Sequence, residues 1–384
     1  MERDELSDWL RLQLTPGVGD LSARRLLTAF GLPGNIFGQP EHRLLDHLTP
    51  TQARALQRLP DGFEAQLERT WLWLQGCEAN GAARRIVAWD DPTYPALLLQ
   101  TDDPPPMLYV LGPATMDMRD LGRSLAIVGS RNPTPQGADN ARAFGRALAE
   151  AGIPVISGMA LGVDGAAHLG ALEGAGERVV LATVAVVGTG LDRVYPARHR
   201  ALAHRISMQG LIVSEFPLGT PPLNQNFPKR NRIIAGMSRG TLVVEAALLS
   251  GSLITARLAV EQGREVFAIP GSIHSAQSRG CHALIRQGAK LVETVHDVQE
   301  ELAMNTPIDD TPRLPFGNGN AGRAPDDRQD GLLAALGHDP VGLDVLCART
   351  GFSAAVLQGR LLELELDGHV ARLPGGLFQR VARA

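Results

Sequence analysis

The stretch Ser124–Gly158, SLAIVGSRNPTPQGADNARAFGRALAEAGIPVISG, decides the fold. It opens on an apolar run, LAIV, and breaks at Gly129-Ser130-Arg131. It continues with apolar residues three or four apart and closes on a second apolar run, IPVIS. Strand, loop, helix and strand in that order make a crossover unit with two parallel strands. The alternation continues on both sides. RIVAW (85–89), RVVLATVAVVG (178–188), LIVSEF (211–216), GTLVVEA (240–246) and REVFAIPG (264–271) read as strands. GVDGAAHLGALEGAG (162–176), ARHRALAHRISMQG (197–210) and LITARLAVEQG (253–263) read as the helices between them. Strands this rich in Val, Ile and Leu need cover on both faces. The reading is an α/β fold, a Rossmann-like doubly wound and mostly parallel sheet over residues 83–300, with ligands beyond the carboxyl ends of its strands.

Outside that block the patterns differ. Residues 1–82 read as helices, with ELSDWLRLQL, SARRLLTAF, TPTQARALQRL and EAQLERTWLWLQG as the periodic segments. The turn TPGVGD between the first two places Gly17 and Gly19 where they either face a phosphate or simply join packed helices. Residues 301–328, rich in Pro, Gly, Asn and Asp, read as a linker. Residues 329–384 carry three short helical patterns, GLLAALG, GLDVLCARTG and SAAVLQGRLLELELDG, then a hairpin turning at Pro374-Gly375-Gly376, which makes a winged helix.

Composition narrows the function classes. The 384 residues hold 37 Lys and Arg against 41 Asp and Glu, so anion binding must come from local clusters. Cys77, Cys281 and Cys347 form no pair with metal or redox spacing and read as structural thiols. The acidic start MERDELSDWL is unlike a signal peptide, and no apolar run is long enough for a bilayer, so a cytoplasmic protein without a membrane partner is expected. No G-x-G-x-x-G follows a strand and no Walker motif occurs, which disfavours a nucleotide cofactor. No cofactor or metal is expected.

Small residues end each strand: Gly129, Ser130 and Arg131; Ser157, Gly158 and Gly162; Gly188 and Gly190. Such loops let backbone N–H groups face a phosphate. NFPKRNR, residues 226–232, follows the Pro-rich loop LGTPPLNQ and begins a helix on the same rim. Phe227 could stack a base while Lys229, Arg230 and Arg232 hold phosphates. Asn231 interrupts the cationic run, which fits a solvated charge patch poorly. Ser250, Ser252 and Thr255 either cap the next helix or offer hydroxyls to the same phosphates. Asp164 and His168, four apart, are either an acid–base or metal pair or a helix cap with a histidine packed at the edge. The lack of a third ligand favours the cap. Glu215 and Glu245 are either a carboxylate pair for glycosidic chemistry or hydrogen-bond acceptors for the arginine-bearing loops, and the second reading is preferred.

Six motifs, AIVGSRNPT, SGMALGVDGAAH, GTGLDRVYP, SEFPLGTPPLNQNFPKRNRIIAG, VVEAALLSGSLITARLA and REVFAIPGSI, resemble in order and spacing the DprA/Smf family of DNA-processing proteins. The likeness spans Tyr94 to Val295. A SAM-like or helix-hairpin-helix-like start and a winged-helix tail agree with a three-domain version of that family. The resemblance implies a non-enzymatic protein that binds single-stranded DNA in natural transformation and competence and loads RecA onto it, displacing or bypassing single-strand binding protein. It implies a homodimer through GCHALIRQGAKLV, with His282, Ile285 and Leu291 at the contact. It carries the family's DNA pocket to Arg131, Phe227, Lys229, Arg230 and Arg232, and with the loop and helix-start residues read above the expected DNA-binding set also takes in Gly129, Ser130, Gly158, Asn231 and Ser252. Two departures stand out: GERVVLATVAVVG is longer than the family's usual strand, and LNQN supplies no cation ahead of Phe227. The alternatives are a nucleotide-processing enzyme using Glu245, Glu215 and Arg131 to cleave base from ribose phosphate, and a regulator reading duplex through its winged helix. Against the last, SAAVLQGRLLELELDG sets Arg360 against Glu363, Glu365 and Asp367.

Overall fold

Proline and glycine punctuation divides the start of the chain into short helices. They are α1 Arg3–Leu14, α2 Asp20–Phe30, α3 Pro33–Phe37, α4 Glu41–Leu45, α5 Pro50–Leu56 and α6 Phe63–Gln75. The computed structural model describes residues 1–76, 81–303, 332, 333, 336 and 340–381. Cys77, residues 304–328 of the expected linker and most of the expected helix 331–337 lie outside the described residues.

The sheet and its crossover helices follow in order: β1 Ala83–Ala88, α7 Ala96–Leu99, β2 Met107–Gly112, β3 Leu125–Val128, α8 Pro135–Glu150, β4 Val155–Ser157, α9 Val163–Ala175, β5 Thr183–Val186, α10 Arg200–Gln209, β6 Leu211–Ser214, α11 Asn226–Gly236, β7 Gly240–Val243, α12 Ser252–Glu261, β8 Glu265–Ala268, α13 Arg279–Arg286, β9 Lys290–Leu291 and α14 Val295–Glu301. Among the described residues the strand order is β1-β2-β6-β5-β4-β3-β7-β8-β9. From β3 the chain winds outward through β4, β5 and β6, then crosses back to β7 on the other flank of β3. The ends of β3, β4 and β7 therefore meet at the reversal of winding, where such sheets bind ligands.

Three details depart from the sequence reading. MLYVLG forms β2, which was not expected; it pairs antiparallel with both β1 (Ile86↔Tyr109) and β6 (Tyr109↔Ser214). Its Pro-rich approach, DDPPP, hides a strand that the apolar run itself announces. RVVLATVAVVG yields only the four residues of β5. Ahead of β5 the Arg178 guanidinium donates to the carbonyls of Ala149 (3.1 Å) and Glu150 (3.3 Å) at the end of α8, and Val179 is 82% exposed, so this part of the run is not buried as a strand would be. Helices α3 and α4 also appear where no periodic segment was read.

The helical start is not a separate core. Leu6, Trp9, Leu26 and Phe63 share one buried cluster with Ile86 and Ala88 of β1 and with Met107 and Tyr109 of β2. Gln13 and Gln66 add hydrogen bonds to the carbonyls of Glu215 (2.8 Å) and Leu218 (3.1 Å). On the sheet, α8 and α9 touch backbone to backbone. A Cβ on Gly170 would overlap the Arg142 carbonyl, so glycine is required there for close approach.

The tail holds β10 Val341–Gly342, α15 Leu343–Thr350, α16 Ala354–Leu366, β11 Val370–Leu373 and β12 Leu377–Arg380, with strand order β10-β12-β11 around Leu346, Leu357, Leu361 and Phe378. This is a winged helix. Its hairpin turns at Gly375 and Gly376, both at positive φ. Among the described residues no helix is long and apolar enough to cross a membrane, and no His, Cys, Asp or Glu group is arranged to hold a metal.

His168 lies in the interior of α9, not at an edge as expected, and is fully buried. Thr183 Oγ1 donates to the Val155 carbonyl (2.7 Å), so it accepts from His168 Nδ1 (2.7 Å). That leaves Nε2 unprotonated, buried and without a hydrogen-bond partner among the described residues. Burial, with His199 and Arg230 adding repulsion, pushes the imidazole down to about 3 from its ordinary 6.5. The unfolded chain thus takes up a proton below pH 6.5 that the folded chain refuses until about 3, and stability falls as pH falls through that window. Denaturant titrations should show about 2 kcal/mol lost to this group between pH 7 and pH 5. His168→Asn, which keeps a donor for Thr183, should flatten that part of the pH profile.

Candidate nucleic-acid interface

The site is built from loops at the carboxyl ends of β3, β4, β5 and β7 and from the first two turns of α11. With about 3.6 residues per turn, positions 227, 230, 231 and 234 of α11 share one face. Phe227, Arg230, Asn231 and Ile234 all line the same opening, of ≈ 520 Å³. Gly129, Ser130, Arg131 and Ser252 line it too. A narrower recess joins it at Arg131, Ala160, Phe227 and Arg230 and runs between Gly158, Gly188 and Tyr195.

Phe227 is the half-buried centre of this surface. Asn226 Nδ2 donates to the Gly188 carbonyl (3.2 Å), fixing the helix start against the loop after β5. A Cβ on Gly188 would lie 3.0 Å from the Phe227 ring, so bare backbone forms the floor beneath it. Tyr195, 45% exposed, sets its ring 5.5 Å from that of Phe227 at 31°. Arg131 is exposed, with its Cζ 5.9 Å from the Phe227 ring centroid, and it makes no ion pair or side-chain hydrogen bond among the described residues. Two rings tilted by 31° beside an exposed guanidinium bring together the aromatic faces and the cation that base stacking and phosphate binding require.

The carboxylates support these loops. Glu245 accepts from the Thr134 amide (2.9 Å) and hydroxyl (2.5 Å), and Thr134 in turn caps α8 by accepting from the Gly137 amide (3.1 Å). The end of the loop that carries Arg131 is thereby fixed at Thr134, between Glu245 and the start of α8. Asp164 does not accept from the first amides of its own helix. It takes the Gly158 (3.1 Å) and Ala160 (3.2 Å) amides of the preceding loop. Burial pushes its carboxyl up, against the pull of Arg230. Ser250 Oγ accepts from the Ser252 amide (3.3 Å) at the start of α12, whose N-cap is Gly251, and Ser252 Oγ lies 2.7 Å from it.

Arg230 has a different place from the one expected. It is 4% exposed, and its Nη1 donates to the carbonyls of Gly158 (2.6 Å) and Val186. A Cβ on Gly158 would collide with that guanidinium, so this glycine makes room for an arginine of the protein itself. Burial, with Asp164 opposing it, brings the Arg230 pKa down to about 10. The group forms the floor of the recess, with carbonyls using donors that a phosphate would need.

Lys229 and Arg232 leave the pocket altogether, because their positions fall on the far face of α11. Arg232 pairs with Glu215, with Asp20 (3.0 Å) at the start of α2 and with Asp103 (3.4 Å) after α7. Burial opposes its charge, but these three carboxylates together hold its pKa above the ordinary range. Lys229 lies 3.2 Å from Glu215 and 3.3 Å from Asp20. The expected phosphate grip by these two cations is corrected to a clamp between the helical start and the sheet. Glu215 is taken up by the same clamp, while Gly17 accepts from Gln52 Nε2 (2.7 Å), tying its turn to α5.

Of the residues expected at a dimer contact, His282 donates to the Gly271 carbonyl (2.9 Å), Ile285 packs partly buried on the sheet core, and Leu291 is 43% exposed on the edge strand β9. Tyr195 is the pocket residue that sequence reasoning missed. Its signal was an aromatic ahead of a proline in GTGLDRVYP, a motif in which only the glycines were weighed. On the tail, Arg360 of α16 lies over the Phe352 ring at 4.5 Å, so that cation is engaged within the domain.

A family model described as DNA recombination-mediator protein A matches residues 85–303, and one described as DprA winged helix domain matches residues 319–376. Protein Smf of Escherichia coli is 41% identical over 344 residues, covering 88% of this chain and 86% of that one. DNA processing protein DprA of Streptococcus pneumoniae is 44% identical over 211 residues, 55% of this chain and 72% of its own. The X-ray structure of the latter superposes with a TM-score of 0.63 at 34% identity, over 76% of this chain and 95% of that chain. DNA processing protein A of Helicobacter pylori, described by its unique single-stranded DNA binding mode, superposes with a TM-score of 0.50 at 28% identity, over 57% of this chain and 96% of its own.

The two cations that leave the pocket should behave differently when removed. Arg232→Ala leaves the buried Glu215 with Lys229 as its remaining partner and removes the links to Asp20 and Asp103, and should cost about 3 kcal/mol in chemical denaturation. Lys229→Ala, at a half-exposed position, should cost no more than about 1 kcal/mol.

Proposed function

Since this chain belongs to the DprA/Smf family of DNA recombination mediators, we propose that it binds single-stranded DNA in the pocket of Arg131, Tyr195 and Phe227. The observation that carries the reading is the ring pair beside an unpaired, exposed arginine at the winding reversal of the sheet. Unstacked bases present π-faces that such rings accept whatever the sequence, while duplex bases are already stacked on one another. Arg131 is free to meet the backbone phosphate. Gly129, Ser130, Asn231 and Ser252 complete the wall of the opening, and Arg230 and Gly158 hold its floor.

The family resemblance extends this reading to the handing of the bound strand to RecA during natural transformation, past single-strand binding protein. It also extends to a homodimer formed through α13 and β9. The outer edge of β9 has no strand partner among the described residues, and Leu291 is exposed on it, which suits an edge-to-edge contact. We read the protein as a binder without catalysis, working in the cytoplasm. Glu215 and Glu245 end strands separated by three others, four strand spacings or roughly 19 Å apart. Carboxylate pairs in glycosidic chemistry stand about 5–10 Å apart. In the winged helix, α16 exposes Glu363 and Glu365 and is followed by exposed Asp367, which argues against major-groove reading.

Fluorescence anisotropy with labelled oligo-dT tests the pocket. Phe227→Ala and Tyr195→Ala should each weaken binding by about 1–3 kcal/mol. Arg131→Ala should also make the logarithmic salt slope shallower by about 0.7. Duplex of equal length should bind more weakly than the single strand. Wild-type affinity in the Phe227→Ala protein would remove the basis for this assignment.

A further inference from the structure

The pocket just described is poor in usable charge. Among the described residues Arg131 is its exposed, unpaired cation, Arg230 is buried with Nη1 held by two carbonyls, Lys229 and Arg232 face the other way, and the residues LNQN ahead of Phe227 are uncharged. Phosphate neutralisation supplies much of the affinity for a nucleic acid, so one free guanidinium would hold a strand weakly. The missing charge lies beside Tyr195. Between Asp192 and Glu215 the chain contains no Asp or Glu, but it carries Arg193, Arg198, Arg200 and Arg205 with His199 and His204, in a protein of net charge -4.

Arg198, Arg200 and Arg205 are exposed, and the segment that carries them leaves the pocket at Tyr195. His199 Nδ1 lies 2.9 Å from the Met159 carbonyl in the recess wall, which fixes the entry to α10 against the site. From there α10 buries Leu202, Ala203 and Ile206 and exposes Arg200, His204 and Arg205, while Arg198 is exposed just before it. Arg193 is partly neutralised by Asp192 (3.1 Å). Arg198, Arg200 and Arg205 make no ion pair or side-chain hydrogen bond among the described residues. An ordinary solvated helix face offers acidic partners, as α8 and α9 do where Arg142 and Arg146 both meet Glu173. Here none is near in sequence.

We propose that Arg198, Arg200 and Arg205 form a backbone track that takes the strand's phosphates onward from the Tyr195–Phe227 platform. The proposal rests on the pocket reading above, and it assigns a sequence-independent role, since arginines meeting only phosphates read no base. The occupant is the same single strand, because the track begins at the residue that stacks its bases and carries charge complementary to it.

The test uses the full chain, oligo-dT of about 4 and about 16 nucleotides, and a duplex of the longer length. The triple variant Arg198→Ala, Arg200→Ala, Arg205→Ala should hold the short oligomer within about twofold of wild type and lose about tenfold or more on the long one. Its salt slope on the long oligomer should be shallower by about 2, for three phosphates. The matching Arg→Lys triple should restore the slope, which separates lost charge from a lost fold. Unchanged affinity and slope on the long oligomer would overturn the track, while weaker short-oligomer binding by Phe227→Ala would still uphold the pocket. If Phe227→Ala leaves both lengths unchanged, the pocket fails and the continuation fails with it. A loss on duplex equal to that on single strand, or loss of a protein partner with no loss on DNA, would also overturn the proposal.

Discussion

The ion pair between Arg232 and Glu215 sets how α11 is rolled about its axis, and the interface depends on that roll. Asp20 and Asp103 complete the clamp from two other segments. With Arg232 held on the far side, helical geometry leaves Phe227, Arg230 and Asn231 facing the loops at the carboxyl ends of the strands. Arg230 then ties the loop after β4 to the end of β5 by donating to Gly158 and Val186. One short basic stretch thus serves two purposes on two faces: holding the architecture together and presenting a ring to a ligand.

Much of this was legible in the sequence, and the failures have physical causes. The α/β winding was readable because buried parallel strands must be apolar throughout, a pattern that composition cannot easily imitate. The location of the site was readable for a related reason: each strand has to end in small residues if a loop is to turn tightly into a helix. Gly129, Ser130, Arg131, Gly158, Phe227, Asn231 and Ser252 do come together. The basic run misled because it was read as a line, whereas a helix sorts residues by angle. Lys229 and Arg232 needed carboxylates from positions 20, 103 and 215, and nothing local announces partners so distant in the chain.

The glycines teach a similar lesson. They were read as openings for phosphate oxygens, yet at Gly158 and Gly188 the vacated space is filled by the protein's own Arg230 and Phe227. A glycine beside a ligand site reports a close approach without saying what approaches. The acids follow the same rule. Glu245 and Asp164 could be taken for chemistry from their positions alone, but each is occupied in holding the backbone of a loop.

The shared core between the helical start and the antiparallel strands bears on modularity. Ile86, Ala88, Met107 and Tyr109 are covered by helices that precede them in the chain, and the acid at position 20 belongs to the same joint. A polypeptide begun at Ala83 would open this seam to water and uncover the back of α11. In this protein the leading helices are therefore not a detachable accessory: gene fusions or truncations that preserve the pocket of Phe227 and Tyr195 would have to keep them.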